Sequence, residues 1–287
     1  MEDVLDARRC ELGEGALWHP ERGQLFWLDI HGRALLGREG AAERAWDFGE
    51  QVSAAGWIDR DHLLVAGEGG LWRFAIPTGE RERVAAMPPE EGPRLRSNDG
   101  RADPWGGFWF GTMGKRAEDG AGSLWRYWRG ELRRLRPGLS VPNAICFDAE
   151  AELGFFADTR AGNVWRQRLD PASGWPAGEA EVWLALAGTG RHPDGAVIDA
   201  EGRFWNAQWE SSLVACYGRD GRLLHEEAFA ASRLTCPAFG GADLATLFVT
   251  SAQEGMDEAA REAEPAAGMT FARRVDARGR AEPAVVL

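Results

Sequence analysis

Four polar residues of the chain each open a short segment that soon becomes hydrophobic: Glu14, Asn98, Asn143 and Asp194. If the fold aimed them into one narrow channel, the carboxylates would repel and the amides would lack partners unless a ligand lay between them. A hard divalent cation with oxygen ligands meets that need. Ca²⁺, Mg²⁺ or Mn²⁺ therefore fit better than a structural zinc, while a catalytic zinc or iron(II) stays open. The alternative interpretation is that these residues form turns and bind no ligand, because the sequences N-D-G, P-N and P-D-G are common in turns.

Arg96 lies two residues before Asn98, near the start of the same predicted strand. Residues i and i+2 of a strand share a face, so both side chains are expected to reach the same pocket. An arginine fork and an amide together can read a polyhydroxylated ligand through several hydrogen bonds. The alternative is that Arg96 is a surface arginine beside Arg94.

A weak internal repeat indicates the elements that position these residues. Six segments each contain a few small or apolar residues, then a turn and a hydrophobic triplet, and they begin 40 to 51 residues apart. Their first residues are Glu14, Ala54, Asn98, Asn143, Asp194 and Cys236. A period of that length, with hairpins and no helical pattern between them, is typical of propeller blades, whereas a sandwich would not repeat six times and an open solenoid would need capping ends. We therefore predict an all-β fold, a six-bladed β-propeller formed by residues 1–287 as a single domain, with the six first residues meeting at one mouth of the channel.

The ends of a propeller chain are expected to pair with each other, because a closed ring hides its last strand edge. Residues near Val4–Arg9 should accordingly join the C-terminal blade. Third strands are predicted around Gly70–Phe74, Ser123–Tyr127 and Asn163–Arg166, and the Glu-rich stretch Asp257–Glu264 is expected to form one short helical turn at the surface.

Composition narrows the class of partner. A net charge of −12 argues against nucleic acid and anionic membranes, which both require clustered positive charge. The four cysteines are scattered without metal-site spacing, as in reduced cytosolic proteins. The acidic start lacks the apolar run of a signal peptide, and no stretch approaches the roughly 18 apolar residues of a membrane span. We expect a cytoplasmic monomer whose partner is a small molecule.

The segments LGEGALWH, RSNDGRADPWGGFWFGTM, VPNAICFD, HPDGAVIDAEGRFWNA, FGG and FVTSAQEGM resemble the senescence marker protein, gluconolactonase and regucalcin family over nearly the whole chain. The resemblance implies a six-bladed propeller with one divalent metal ion (Ca, Zn, Mn, Mg or Fe(II)). It implies that Glu14, Asn143 and Asp194 are the metal ligands and that Arg96 and Asn98 bind substrate. It also implies that Asp194 is the general acid/base in hydrolysis of a small sugar-acid lactone, such as glucono-, xylono- or arabinonolactone.

One departure from the family concerns the loop after Gly111-Thr112-Met113. Animal relatives carry an acidic residue there that reaches the substrate, whereas this chain has Gly114-Lys115-Arg116. The change bears on which lactone is preferred. Two other functions stay open: a non-catalytic calcium-binding regulatory protein of regucalcin type, and an esterase or organophosphate hydrolase.

Overall fold

The computed structural model describes residues 3–88 and 92–287, which form 24 β-strands and one short α-helix. The first thirteen strands are β1 (Val4–Asp6), β2 (Gly13–His19), β3 (Gln24–Asp29), β4 (Ala34–Glu39), β5 (Ala42–Asp47), β6 (Val52–Asp59), β7 (His62–Gly67), β8 (Gly70–Ala75), β9 (Arg81–Ala86), β10 (Leu95–Ala102), β11 (Phe108–Gly114), β12 (Gly122–Trp128) and β13 (Glu131–Leu139). The others are β14 (Pro142–Asp148), β15 (Leu153–Asp158), β16 (Asn163–Arg168), β17 (Glu181–Ala185), β18 (Pro193–Ile198), β19 (Phe204–Gln208), β20 (Leu213–Tyr217), β21 (Leu223–Ala228), β22 (Leu234–Gly240), β23 (Thr246–Ser251), α1 (Glu258–Ala263) and β24 (Thr270–Arg274).

The strands form six four-stranded antiparallel sheets, so the predicted six-bladed β-propeller is confirmed. Blades 1 to 5 each consist of four consecutive strands, beginning with β2, β6, β10, β14 and β18. Blade 6 has the order β22-β23-β24-β1, with Val4 opposite Phe271 and Asp6 opposite Thr270. The predicted pairing of the chain ends is therefore confirmed for β1, and α1 is the predicted helical turn.

The hydrophobic core is divided into layers between neighbouring blades. The predicted triplets lie in the second strand of each blade, and their aromatic side chains reach the next blade. Trp109 of blade 3 meets Phe147 of blade 4 edge to face, with ring centroids 5.3 Å apart. Trp205 of blade 5 meets Phe239 of blade 6 in the same way at 5.5 Å. Both indoles are almost fully buried, so these layers fix each blade, and its innermost strand, relative to the next.

The residues after β24 cross one face of the propeller. The N–H of Ala200 in blade 5 donates to the carbonyl of Arg278 at 2.8 Å, and Nε1 of Trp57 in blade 2 donates to the carbonyl of Glu282 at 2.8 Å. The Glu282 carboxylate forms a buried ion pair with Arg101 of blade 3. These contacts lie at the far ends of the innermost strands, so the C-terminal segment covers the end of the channel opposite to the strand starts.

No helix in the described parts of the chain combines the length and the apolarity needed to cross a membrane. All four cysteines are free and buried.

An aspartate begins the turn that follows the innermost strand in four blades: Asp59, Asp103, Asp148 and Asp199. The Asp103 carboxylate accepts the backbone N–H groups of Trp105 and Gly107 at 2.8 and 3.0 Å. It also accepts the indole N–H of Trp109 at 3.1 Å and Nε of Arg126 at 2.7 Å. The Asp103 and Arg126 side chains are both fully buried, so this turn depends on a buried ion pair.

We predict that Asp103→Ala lowers the free energy of unfolding by about 3–5 kcal/mol, because it leaves the Arg126 guanidinium buried without a counter-charge. Asp59→Ala is the matched control: Asp59 begins the same turn in blade 2, but its side chain is 52% exposed and pairs with His62. That substitution should cost less than about 1 kcal/mol. Urea denaturation measures both, and equal losses would show that the buried pair adds nothing to the turn.

Candidate metal and substrate site

The innermost strand of every blade carries an irregularity near its start. The ladder with the second strand shifts by one residue between Glu14 and Leu17, Val52 and Ala54, Ser97 and Gly100, Asn143 and Cys146, Pro193 and Ala196, and Leu234 and Pro237. An extra residue of this kind bends a strand and re-aims its side chains. The same device at the same place in six strands turns one side chain per blade towards the channel.

Pairing with the second strands shows which residues are equivalent. They are Glu14, Ser53, Asn98, Asn143, Asp194 and Thr235. Ala54 and Cys236 were therefore wrongly predicted to belong to this ring, because each lies one position past the ring residue of its strand. Ala54 packs in the core layer between blades 2 and 3, and Cys236 packs against Ala16 and Ala238.

All five residues predicted to form the site line one cavity of about 390 Å³ at the starts of the innermost strands. They are Glu14, Arg96, Asn98, Asn143 and Asp194. Arg96 and Asn98 both line the cavity, as the sequence predicted. The fold thus brings two carboxyl groups, two amides and one guanidinium to the wall of a single pocket.

The two carboxyl groups are buried and sparsely bonded. Glu14 and Asp194 are each about 5% exposed. Oε2 of Glu14 accepts the N–H of Gly15 at 3.2 Å, and Oδ1 of Asp194 is buried without a hydrogen-bond partner among the described residues. Burial raises the pKa of both groups, and nearby negative charge raises it further, from Asp99 for Glu14 and from Glu14 for Asp194. Each would ionise readily only with a positive charge beside it.

The two amides are held in place across blade boundaries. Nδ2 of Asn98 in blade 3 donates to Oδ1 of Asn143 at 3.0 Å and to the carbonyl of Pro142 at 2.9 Å. Nδ2 of Asn143 in blade 4 donates to Oγ1 of Thr159 at 2.8 Å, and that hydroxyl donates to the carbonyl of Pro193 in blade 5 at 2.6 Å. Oδ1 of Asn143 accepts a single hydrogen bond, from Asn98, so it keeps one lone pair for a ligand.

These residues fit a divalent cation. Oxygen donors from Glu14, Asn143 and Asp194 are the kind that Ca²⁺, Mg²⁺ and Mn²⁺ prefer, and the unpartnered Oδ1 of Asp194 needs a positive neighbour. Across residues 3–88 and 92–287, no three His, Cys, Asp or Glu side chains gather closely enough to hold a metal by themselves. The candidate set instead combines two carboxylates with an amide.

Arg96 is 6% exposed, yet it forms no ion pair within the described structure. Its Nη1 donates to Oδ1 of Asn98 at 2.7 Å and to the carbonyl of Ser97 at 2.9 Å, and its Nε is buried without a partner. Burial lowers the pKa of this guanidinium, while the charges of Glu254 and Glu14 oppose that shift. A buried, unpaired guanidinium facing a cavity is suited to a ligand rich in oxygen atoms.

Sequence reasoning missed the residues that the hairpin loops place around the mouth. Thr159, Trp209 and Glu254 line the cavity, and each follows the second strand of its blade. Nε2 of His31 in blade 1 lies 2.8 Å from Oε1 of Glu254, and Nδ1 of His31 lies 2.9 Å from Nε2 of Gln51. Thr159 and Trp209 directly follow the second strands of their blades, so a second phase of the repeat could have identified these two positions.

We predict that Glu14→Gln stabilises the chelator-treated protein at pH 8 and not at pH 4. The folded-state pKa of Glu14 is raised, so the folded protein holds this proton more tightly than the unfolded chain does. The resulting stability is present at low pH and is lost as pH rises above the ordinary carboxyl value of about 4.3, whereas Gln cannot ionise. Melting temperatures between pH 4 and 8 test this, with the exposed Glu21→Gln as control. A stability gain that stays constant with pH would contradict it.

Comparison with known proteins agrees with the geometry. Residues 12–253 match the family described as the SMP-30/Gluconolactonase/LRE-like region. The "Putative sugar lactone lactonase" of Rhizobium meliloti (strain 1021) is 38% identical over 98% of this chain and 96% of its own length. The "Pentonolactonase XacC" of Haloferax volcanii is 34% identical over 95% and 94%. A calcium-binding protein, regucalcin, from Agrobacterium tumefaciens superimposes with a TM-score of 0.96 at 37% identity, covering 99% of this chain and 97% of that one. This chain therefore belongs to the SMP-30/gluconolactonase/LRE-like family.

Proposed function

We propose that the protein is a divalent-metal-dependent lactonase that hydrolyses a small sugar-acid lactone to the free acid. The observation that carries this proposal is the meeting of two buried carboxyl groups with a buried, unpaired guanidinium in one cavity. The cavity volume of about 390 Å³ lies within the usual range for small-molecule sites, roughly 300–1,000 Å³. Relatives whose names refer to sugar lactones and pentonolactones support the reaction class.

In this proposal Glu14, Asn143 and Asp194 hold the metal ion. When bound, the ion supplies Lewis-acid polarisation of the lactone carbonyl and stabilises negative charge there. Without it, the two carboxyl groups would lie buried against each other with raised pKa values. The three ligands come from blades 1, 4 and 5, so the core layers between blades determine their spacing.

Arg96 and Asn98 bind the hydroxyl groups of the lactone. The Arg96–Asn98 hydrogen bond of 2.7 Å orients the amide, and the free donors of the guanidinium remain for the ligand. Asp194 accepts the proton of the attacking water and returns a proton to the ring oxygen as the ester bond breaks.

A second candidate function is calcium binding without turnover, because the similar Agrobacterium tumefaciens structure is that of a calcium-binding protein. Metal binding alone does not require Arg96, whose guanidinium faces the cavity without making an ion pair. The two functions are therefore separated by whether the metal-loaded protein turns over any lactone, and changing Arg96 then tests what the guanidinium binds.

We predict that Asp194→Ala abolishes lactone hydrolysis and weakens metal binding by at least tenfold, because it removes a ligand and the proton acceptor together. Asp194→Asn keeps an oxygen donor and should retain more metal than Asp194→Ala without regaining turnover. Proton release from an aldonolactone panel and metal content after dialysis are the measurements. Wild-type turnover by chelator-treated Asp194→Ala would show that the assignment is wrong.

We predict that Arg96→Ala leaves metal stoichiometry intact and lowers kcat/KM by roughly ten- to hundredfold, as expected for losing a hydrogen bond from a charged donor. The loss should be mainly in KM if Arg96 binds substrate and transition state alike. A lactone without the ring hydroxyls should respond much less. Equal losses for both substrates would refute hydroxyl recognition, and metal binding by a wild-type protein that turns over no lactone would favour the calcium-binding alternative.

A further inference from the structure

We propose that the natural lactone carries an anionic substituent, such as a carboxylate or phosphate, and that Lys115 is the residue that selects it. This inference rests on the proposed lactonase function and adds the substrate class. It starts from the only lysine of the chain, which lines the same cavity as Arg96.

Lys115 is held over the cavity by the loop between β11 and β12. Its backbone N–H donates to the carbonyl of Arg94 at 2.9 Å, which continues the ladder of β10 and β11 by one step. Nη1 of Arg160 in blade 4 donates to the carbonyl of Ala117 at 2.9 Å, and Arg160 also pairs with Asp119. The loop is therefore tied to the next blade, and Lys115 is placed at the mouth by structure on both sides.

The Lys115 ammonium has donors to spare. Its Nζ lies 3.0 Å from Oε1 of Glu68 in blade 2, and the Lys115 side chain is 37% exposed. An ammonium has three donors, and this pair occupies one of them. A partly exposed ion pair contributes little free energy, so an anionic ligand group can compete with Glu68 for the lysine.

The charge of the cavity wall also favours an anion. Three acidic side chains (Glu14, Asp194, Glu254) and three basic ones (Arg96, Lys115, Arg116) line it, so their charges cancel when all six are ionised. A divalent cation held by Glu14 and Asp194 makes the loaded cavity positive. The net charge of the chain is −12, so most of its surface repels anions. A positive charge in the loaded cavity would therefore attract an anionic substrate to the cavity mouth.

The test compares kcat/KM for glucono-δ-lactone, its 6-phosphate and glucarolactone, which are neutral, phosphorylated and carboxylated. We expect the metal-loaded wild-type protein to prefer both anionic lactones, and the preference to shrink as salt is added. Lys115→Met should lower the anionic-to-neutral ratio about fivefold or more, given the strength of charge-assisted hydrogen bonds at a partly exposed site. Glu68→Gln should raise that ratio, because it frees Lys115 from its competitor.

The two substitutions should change the anionic-to-neutral ratio in opposite directions if Lys115 selects the anion. If the Lys115–Glu68 ion pair were only structural, removing either partner would have the same effect on activity. Arg274→Met is the matched control, since it removes one positive charge from an exposed ion pair with Asp243 outside the cavity, and it should leave the ratio unchanged. A wild-type ratio near one, or a fall in the ratio for both Lys115→Met and Glu68→Gln, would overturn the inference while leaving lactone hydrolysis standing.

A binding measurement separates this failure from failure of the proposed function. Glucitol 6-phosphate differs from glucitol by its anionic phosphate group, and neither polyol contains a lactone ring that could be hydrolysed. If no lactone is turned over, tighter binding of glucitol 6-phosphate that is lost in Lys115→Met would still support anion selection at this site. Equal binding of the two polyols would refute it.

Discussion

Two acidic side chains point into a channel that has room for only a small ligand, and burial makes each of them costly to ionise. Glu14 and Asp194 receive few hydrogen bonds, and Oδ1 of Asp194 receives none from the described residues. A protein can keep such a pair only by protonating it or by placing a cation beside it. The packed layers between blades hold the strands that carry these groups, so the pair cannot relieve its repulsion by moving apart.

The site is divided between two kinds of structural element. The groups assigned to metal and proton chemistry lie on innermost strands, whose positions are fixed by packing on both sides. The residues at the mouth, such as Lys115, Trp209 and Glu254, lie on hairpin loops after the second strands. Loops tolerate substitution better than packed strands do. The mouth can therefore change the preferred ligand while the strand residues retain the reaction.

Much of the fold could be predicted from sequence because each blade repeats its hydrophobic triplet, and the spacing of triplets reveals the number of blades. The residue of each repeat that belongs to the channel ring was harder to predict. The prediction fell on Ala54 and Cys236, where the ring residues are Ser53 and Thr235, because the stretch between the ring residue and the second strand differs in length in blades 2 and 6. Glu254 was missed because its partner, His31, lies in another blade, and contacts between distant segments leave no mark on local periodicity.

Ring closure ties the candidate site to the two ends of the chain. Strand β1 is hydrogen-bonded to β24, and the strand that carries Glu14 follows β1 directly. Contacts between segments so far apart in sequence form late and slowly, because a long loop must close before they are made. Blades 2 to 5 can assemble from local hairpins, yet Glu14 is fixed relative to Asp194 only when the first strand docks on the last. Completion of the channel is therefore a folding event of the whole ring, and a chain interrupted before β24 would hold well-formed blades around an incomplete site.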